Sequence, residues 1–189
     1  AGGPYELHIE CSEAIKESEN VVSVKQTHTF RNVMIGEVWL CGGQSNMELE
    51  LQNAKGGKEE LAKLSKDMPI RFYYTNKVGT VKQAEEAEKT AGWGECDPEG
   101  SKAWSAVGYY FAKKLSAELG VTVGLIGCNW GGTSASAWVD RKTLDTNKEL
   151  NSYLEEYDKA IEGKSVQQQE KEYDEYLEYD KAWNEKSAE

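Results

Sequence analysis

The residues best placed to do chemistry sit in two glycine-rich segments. Gly42-Gly43-Gln44-Ser45-Asn46-Met47 follows the short apolar run Val38-Trp39-Leu40-Cys41, and Cys128-Asn129-Trp130-Gly131-Gly132-Thr133 follows the run from Val121 to Gly127. Positions just beyond buried strands are where α/β sheets bind ligands. In the first segment, paired glycines permit a sharp turn that delivers Ser45 between a strand end and a helix start. Unpaired backbone N–H groups there lower the cost of developing negative charge. A serine attacking a carbonyl needs that setting, whereas a serine that only caps the helix needs its hydroxyl alone. The segment is not the G-x-S-x-G elbow, since Met47 replaces the last glycine. In the second segment, glycines would let backbone N–H groups approach a reacting oxygen, as an oxyanion hole requires; a structural tight turn is the plain alternative. Phosphate cradling is disfavoured, because the spacing matches neither G-x-G-x-x-G nor the Walker pattern with its lysine.

The elements that must position these segments follow from periodicity. Val38–Cys41 reads as a strand buried on both faces. Helix-compatible sequence follows over 47–52 and 58–65, with Leu61 and Leu64 at helical spacing, then a strand over 70–74. Ser105 is placed to cap a helix whose face is predicted to be Val107, Tyr110, Phe111, Leu115 and Leu119, with Gly120 as its left-handed stop. The next buried strand spans 121–127. Strand, helix, strand, helix, strand predicts an α/β fold with a parallel sheet. Before it, Tyr5–Glu10 alternates as a half-buried strand, residues 12–20 read as a polar loop, and 21–24 and 27–33 read as further extended pieces. Three strands are too few for the roughly seven of a β-sandwich, so residues 1–35 look like the end of one. After residue 145, Tyr153, Tyr157, Ile161 and then Tyr173, Tyr176, Leu177, Trp183 predict two amphipathic helices broken near Gly163. Their aromatic stripes read as packing surface, with sugar stacking as the lesser alternative.

Composition narrows the function classes. The 189 residues carry 33 acids and 22 bases, a net charge of -11, which disfavours nucleic acid and anionic lipid as partners. No apolar run approaches the roughly 18 residues of a membrane span. Of the acids, 14 lie between Asp145 and Glu189 against 6 bases, so the composition changes near residue 145. Cys11, Cys41, Cys96 and Cys128 form no C-x-x-C pair, so neither a zinc site nor a thioredoxin motif is expected, and buried thiols are the default reading; separately, no metal or cofactor is expected. No signal-peptide pattern opens the chain; an export signal, if used, is expected to have been removed or to lie upstream of Ala1.

Three blocks in order carry a family resemblance: Glu37 to Met47 (EVWLCGGQSNM), Trp104 to Ala112 (WSAVGYYFA), and Val123 to Thr133 (VGLIGCNWGGT) with Ala137-Trp138. They resemble the sialate O-acetylesterase family, a group of SGNH-type serine esterases similar to the acetylxylan esterases of carbohydrate esterase family six. The resemblance implies an incomplete three-layer, flavodoxin-like SGNH hydrolase sheet over 36–145, preceded by jelly-roll strands over 1–35 and followed by an acidic helical insertion over 146–189. It implies removal of O-acetyl groups from sialic acid or xylan-type sugars. Ser45 would be the nucleophile, and the N–H groups of Ser45 and of Gly131 or Gly132 would stabilise the oxyanion. Gln44 and Asn46 would shape the turn and touch substrate weakly, with Trp130 and Trp138 packing the site. Secretion or a periplasmic location follows from the carbohydrate substrates alone.

The resemblance also exposes a gap. A serine hydroxyl needs a base, usually histidine, and the chain has only His8, in the alternating first strand, and His28, in a Thr-rich extended stretch. Neither stands in the Asp-x-x-His arrangement of the family, and the family's Gln-Gly-Glu block is missing. The expectation is a nucleophile-bearing part of an esterase, completed by a C-terminal half in the same or a separate chain and poorly active alone. The alternative, from another class, is a non-catalytic carbohydrate-binding or scaffold module that retains the fold.

Overall fold

The computed structural model describes residues 1–17, 20–78, 81–89 and 91–187. Two compact units emerge: residues 1–75 with 92–131, and residues 76–91 with 132–189.

The first unit is an α/β body. β1 (Gly2–Glu17) and β2 (Asn20–Gly43) pair as an antiparallel hairpin, from Gly2 opposite Ile35 to Glu17 opposite Asn20. The pieces expected at 21–24, 27–33 and 38–41 are therefore one strand, and the loop expected over 12–20 is largely strand as well. Beyond Gly36, β2 changes partner and runs parallel to β5 (Thr122–Asn129), ending with Gly43 opposite Asn129. β3 (Ile70–Tyr74) lies parallel on the other side of β5, and the short β4 (Trp93–Glu95), which periodicity did not reveal, pairs antiparallel with β3. The order is β1-β2-β5-β3-β4. Its parallel centre, β2-β5-β3, is the architecture the strand–helix alternation predicts.

Helix α4 (Ala106–Leu119, following the short helices α1 to α3 given below) packs on this centre. Ser105 caps it by accepting a hydrogen bond from the Gly108 amide, and Gly120 ends it at φ +65, as expected. Its buried face is not the expected one. Ala106, Gly108, Tyr109, Ala112 and Ser116 face the sheet, while Val107, Tyr110, Phe111 and Leu119 are exposed and only Leu115 joins the core margin. Close approach is the reason: a Cβ on Gly108 would lie 3.1 Å from the Cys41 Sγ and 3.4 Å from Leu125 Cδ1. Small residues set the helix near the sheet, with Tyr109 the one bulky side chain buried on that face, and Phe111 lies at the flank, where it meets Trp39 edge-on. The core gathers Leu51, Ile70, Phe72, Trp104, Tyr109, Val123 and Leu125.

α2 (Gly57–Leu61), shorter than the 58–65 expected, is tied to α4 by charge. Glu60 accepts hydrogen bonds from Lys113 and from the buried Tyr109 hydroxyl, the latter at 3.0 Å. The Lys113 ammonium holds the Glu60 carboxyl down at about 2 against the opposing cost of burial, with Lys63 and Tyr109 adding to the effect. Burial, then the Glu60 carboxylate, pushes the Tyr109 hydroxyl well up.

The opposite sheet face carries exposed apolar side chains. Val38 and Leu40 are 60% and 67% exposed, and Trp93, which lies over Gly124, is 50% exposed. On the hairpin, Tyr5, Leu7 and Ile9 are exposed too, so the alternating strand is not half-buried. Cys41 and Cys96 are buried thiols, with burial pushing Cys96 up to about 11, whereas Cys11 is exposed against expectation because the hairpin has no layer upon it among the described residues.

The second unit is helical. It holds α3 (Val81–Glu88), α5 (Arg141–Thr146), α6 (Asn151–Ile161) and α7 (Val166–Ser187). Asp140 caps α5, and Arg141 pairs with Asp158 to join α5 and α6. Gly163, at φ +73, makes the expected break before α7. The aromatic residues Tyr153, Tyr157, Tyr176 and Trp183 are exposed, so these helices do not bury the stripes the periodicity marks. No described helix is long and apolar enough to cross a membrane.

Candidate active site

Ser45 opens α1 (Ser45–Glu48), a single helical turn directly after β2. One turn is too short to be stable by itself, so its neighbours hold it. The Glu48 amide donates to the Gln44 carbonyl at 2.9 Å. The chain that follows is pinned to the start of α4, with the Ala106 amide on the Leu49 carbonyl and the Leu51 amide on the Trp104 carbonyl, both at 2.8 Å. Met47 tucks its sulfur 3.4 Å from the Ser105 hydroxyl. The second sequence block, around Trp104 and Ser105, thus serves as the buttress of the first.

The cap of α1 is Gln44, and no side chain caps it. Ser45 is the first helical residue, so the capping reading of this serine does not hold. Its side chain is exposed, and its hydroxyl donates to the Gln44 Oε1 at 3.2 Å. Asn46 is exposed beside it.

The second glycine segment is brought to the first by the parallel ladder. Where β2 and β5 end, the Trp130 amide donates to the Gly43 carbonyl at 3.0 Å, and the Gly131 amide, the first beyond the ladder, donates to the Glu48 carboxylate. A Cβ on Gly131 would stand 3.7 Å from the Ser45 Cα and would collide with that carboxylate. A side chain at 131 would therefore displace the flexible end of Glu48, whereas at Gly132, which begins the second unit, glycine is favoured by a φ of +78. Glu48, which motif reading passed over, stands three places after Ser45, a spacing that puts both on one side of a helical turn.

Behind the loop, the buried Asn129 accepts a 2.7 Å hydrogen bond from the Tyr74 hydroxyl, which burial pushes upward. Trp130 is 39% exposed and Trp138 is 42% exposed, with its indole N–H on the Thr133 hydroxyl at 2.8 Å.

Neither histidine is brought to Ser45. His8 contacts the Thr29 hydroxyl at 3.0 Å, and His28 pairs with Ile9 across the hairpin. At ~3.3 Å per residue, His28 is separated from Gly43 by roughly 50 Å of strand. A cavity of about 360 Å³ lined by residues including Asn32, Val38, Arg71 and Trp93 lies near the start of the parallel ladder. Ser45 stands at the ladder's other end.

Residues 35–179 match the family model described as carbohydrate esterase, sialic acid-specific acetylesterase. The sialate O-acetylesterase of Mus musculus is 26% identical over 149 residues, covering 76% of this chain and 26% of its own length. That of Homo sapiens is 26% identical over 149 residues, covering 76% and 27%. The chain thus spans about a quarter of the length of these relatives. Among solved structures, a carbohydrate acetylesterase from Xanthomonas citri superposes with a TM-score of 0.56 at 32% identity, over 69% of this chain and 31% of that one.

Proposed function

Since the chain belongs to the family of carbohydrate esterases that comprises the sialic acid-specific acetylesterases, we propose that it carries the nucleophile of a serine esterase that removes O-acetyl groups from carbohydrates. The observation that supports this most directly is the joining of the two glycine segments, Trp130 amide to Gly43 carbonyl, which sets Gly131 against Ser45.

In this reading the Ser45 Oγ attacks the acetyl carbonyl carbon while a base takes its proton. The carbonyl oxygen becomes an oxyanion held by the Ser45 amide and by an amide of the glycine loop, Gly131 or Gly132. Collapse of the intermediate expels the sugar hydroxyl, protonated by the same base, and leaves an acetyl-serine that water hydrolyses to acetate. Gln44, already bonded to the Ser45 hydroxyl, orients it, and Asn46 stands at the substrate's edge. Each oxyanion donor of this kind contributes ~2.7–4 kcal/mol to transition-state stabilisation.

The base is not His8 or His28, whose strand path keeps them from Ser45, so it comes from a completing region of the same domain, in this chain's continuation or in a partner chain. The bare face of Val38, Leu40 and Trp93 suits such a region, since exposed apolar patches of this kind mark interaction surfaces. Residues 1–35 would belong to a jelly-roll domain, which accounts for the exposed stripe of Tyr5, Leu7 and Ile9. A carbohydrate substrate is in keeping with a secreted or periplasmic location.

The test is acetate release from O-acetylated sialic acid and from acetylated xylan by the completed protein, with Ser45→Ala as control. Release abolished by Ser45→Ala is expected. Sugar binding without Ser45-dependent release would replace this reading with that of a carbohydrate-binding module.

A further inference from the structure

We propose that Glu48 is a positioning residue of this site: its carboxylate grips the Gly131 amide and so pins the glycine loop to the nucleophile turn. The proposal rests on the acetylesterase reading for its catalytic meaning, though the contact itself does not.

The argument begins with backbone hydrogen bonding. The β2–β5 ladder supplies partners as far as Asn129, and the Gly43 carbonyl extends it to the Trp130 amide. The chain then leaves the sheet, and the Gly131 amide has no strand to pair with. A part-buried amide without an acceptor is costly. The Glu48 carboxylate, from the last residue of α1, meets that need. A bond to an ionised acceptor is stronger than one to a neutral carbonyl, and Gly131 lacks the Cβ that would block it. Two successive amides, Trp130 and Gly131, are thereby fastened to two points flanking Ser45, namely Gly43 and Glu48.

The consequence for the reaction is specific. Of the amides that the acetylesterase reading names as oxyanion donors, the Gly131 amide is engaged by Glu48. Its role is to hold the loop in register with Ser45 rather than to bind the oxyanion. Glu48 acts through the backbone and touches no reacting atom. Misplacement of such a loop by about 1 Å is enough to cost on the order of 100-fold in rate.

Two variants and two readouts test this. In the ¹H–¹⁵N spectrum of chain 1–189, the Gly131 amide is expected downfield and slow to exchange with solvent. Glu48→Ala should move it upfield and speed its exchange by about tenfold or more, while Glu48→Gln, which keeps an acceptor oxygen, should largely preserve it. The remaining resonances, unshifted, report that each variant is folded. In the completed esterase, Glu48→Ala should lower kcat by about tenfold or more with KM little changed, and Glu48→Gln should restore most of the loss. A Gly131 amide indifferent to Glu48→Ala overturns the proposal, as does a kcat that is unchanged or raised, the latter meaning that Glu48 obstructs an oxyanion donor. Absence of any Ser45-dependent turnover in the completed wild type instead overturns the acetylesterase reading, and with it the catalytic half of this proposal, while the amide measurement still decides the contact.

Discussion

At Gly131 a side chain would meet the Glu48 carboxylate, and at Gly132 it would meet open space but the wrong backbone. The two neighbours therefore respond differently to the same change. Gly131→Ala forces the Glu48 carboxylate off the amide at 131 while meeting the Ser45 Cα at an ordinary 3.7 Å, so it should lower the activity of the completed protein with little change in its melting temperature. Gly132→Ala meets open space but a φ of +78, so it should cost ~1–3 kcal/mol of local strain, read as a melting shift. Glu60 offers a prediction of another kind. The folded chain holds its carboxyl at about 2, below its ordinary 4.5, chiefly through the Lys113 hydrogen bond. A depressed carboxyl pKa contributes stability that is present above 4.5 and is lost as pH falls from 4.5 towards 2. Melting curves across that window should show the loss in the wild type, and Lys113→Met should flatten it. The turn at Ser45 was legible from its glycine pair after an apolar run, whereas a catalytic use for that serine comes from the family resemblance and not from the spacing. The part played by Glu48 was not legible, since an acidic residue in a short helical turn reads as solvated until its acceptor role is seen.

At the scale of elements, α4 shows what hydrophobic periodicity resolves and what it misses. Its cap, its stop and its length were readable, because capping chemistry is local to Ser105 and Gly120. Its buried face was not readable, because that depends on how closely the helix approaches the sheet. Gly108→Val should destabilise the chain by ~1–3 kcal/mol through overpacking against Cys41 and Leu125. Val107→Ala, at a position the apolar pattern marks as core, should change stability by no more than about 0.5 kcal/mol, because Val107 is exposed. Chemical denaturation of both variants checks the pair. β2 gives the complementary lesson. Its alternation was visible in pieces, but a single strand serving a hairpin at one end and a parallel sheet at the other is decided by its two successive partners.

For the whole molecule, the separation between Ser45 and the two histidines is what matters most. With the completed esterase, His8→Ala and His28→Ala should each leave turnover unchanged, while chain 1–189 alone should release little or no acetate from an acetylated sugar; histidine-dependent turnover by 1–189 would contradict the placement of both residues on the hairpin. The bare face of Val38, Leu40 and Trp93 should bind a hydrophobic dye in 1–189 and lose that binding when the completing region is present. The sequence by itself determined the α/β alternation, the turn that presents Ser45, the helical and acidic character beyond residue 145, and the shortage of histidine, because each is written in local spacing or in simple presence. Tertiary structure alone decided that Gly131 abuts Ser45, that Glu48 holds its amide, which face of α4 is buried, and that the hairpin histidines are strung away from the site. The first two join residues more than eighty positions apart through the β2–β5 register, the third follows from how closely α4 approaches the sheet, and the fourth from the pairing of β1 with β2; no spacing within a single segment encodes any of them.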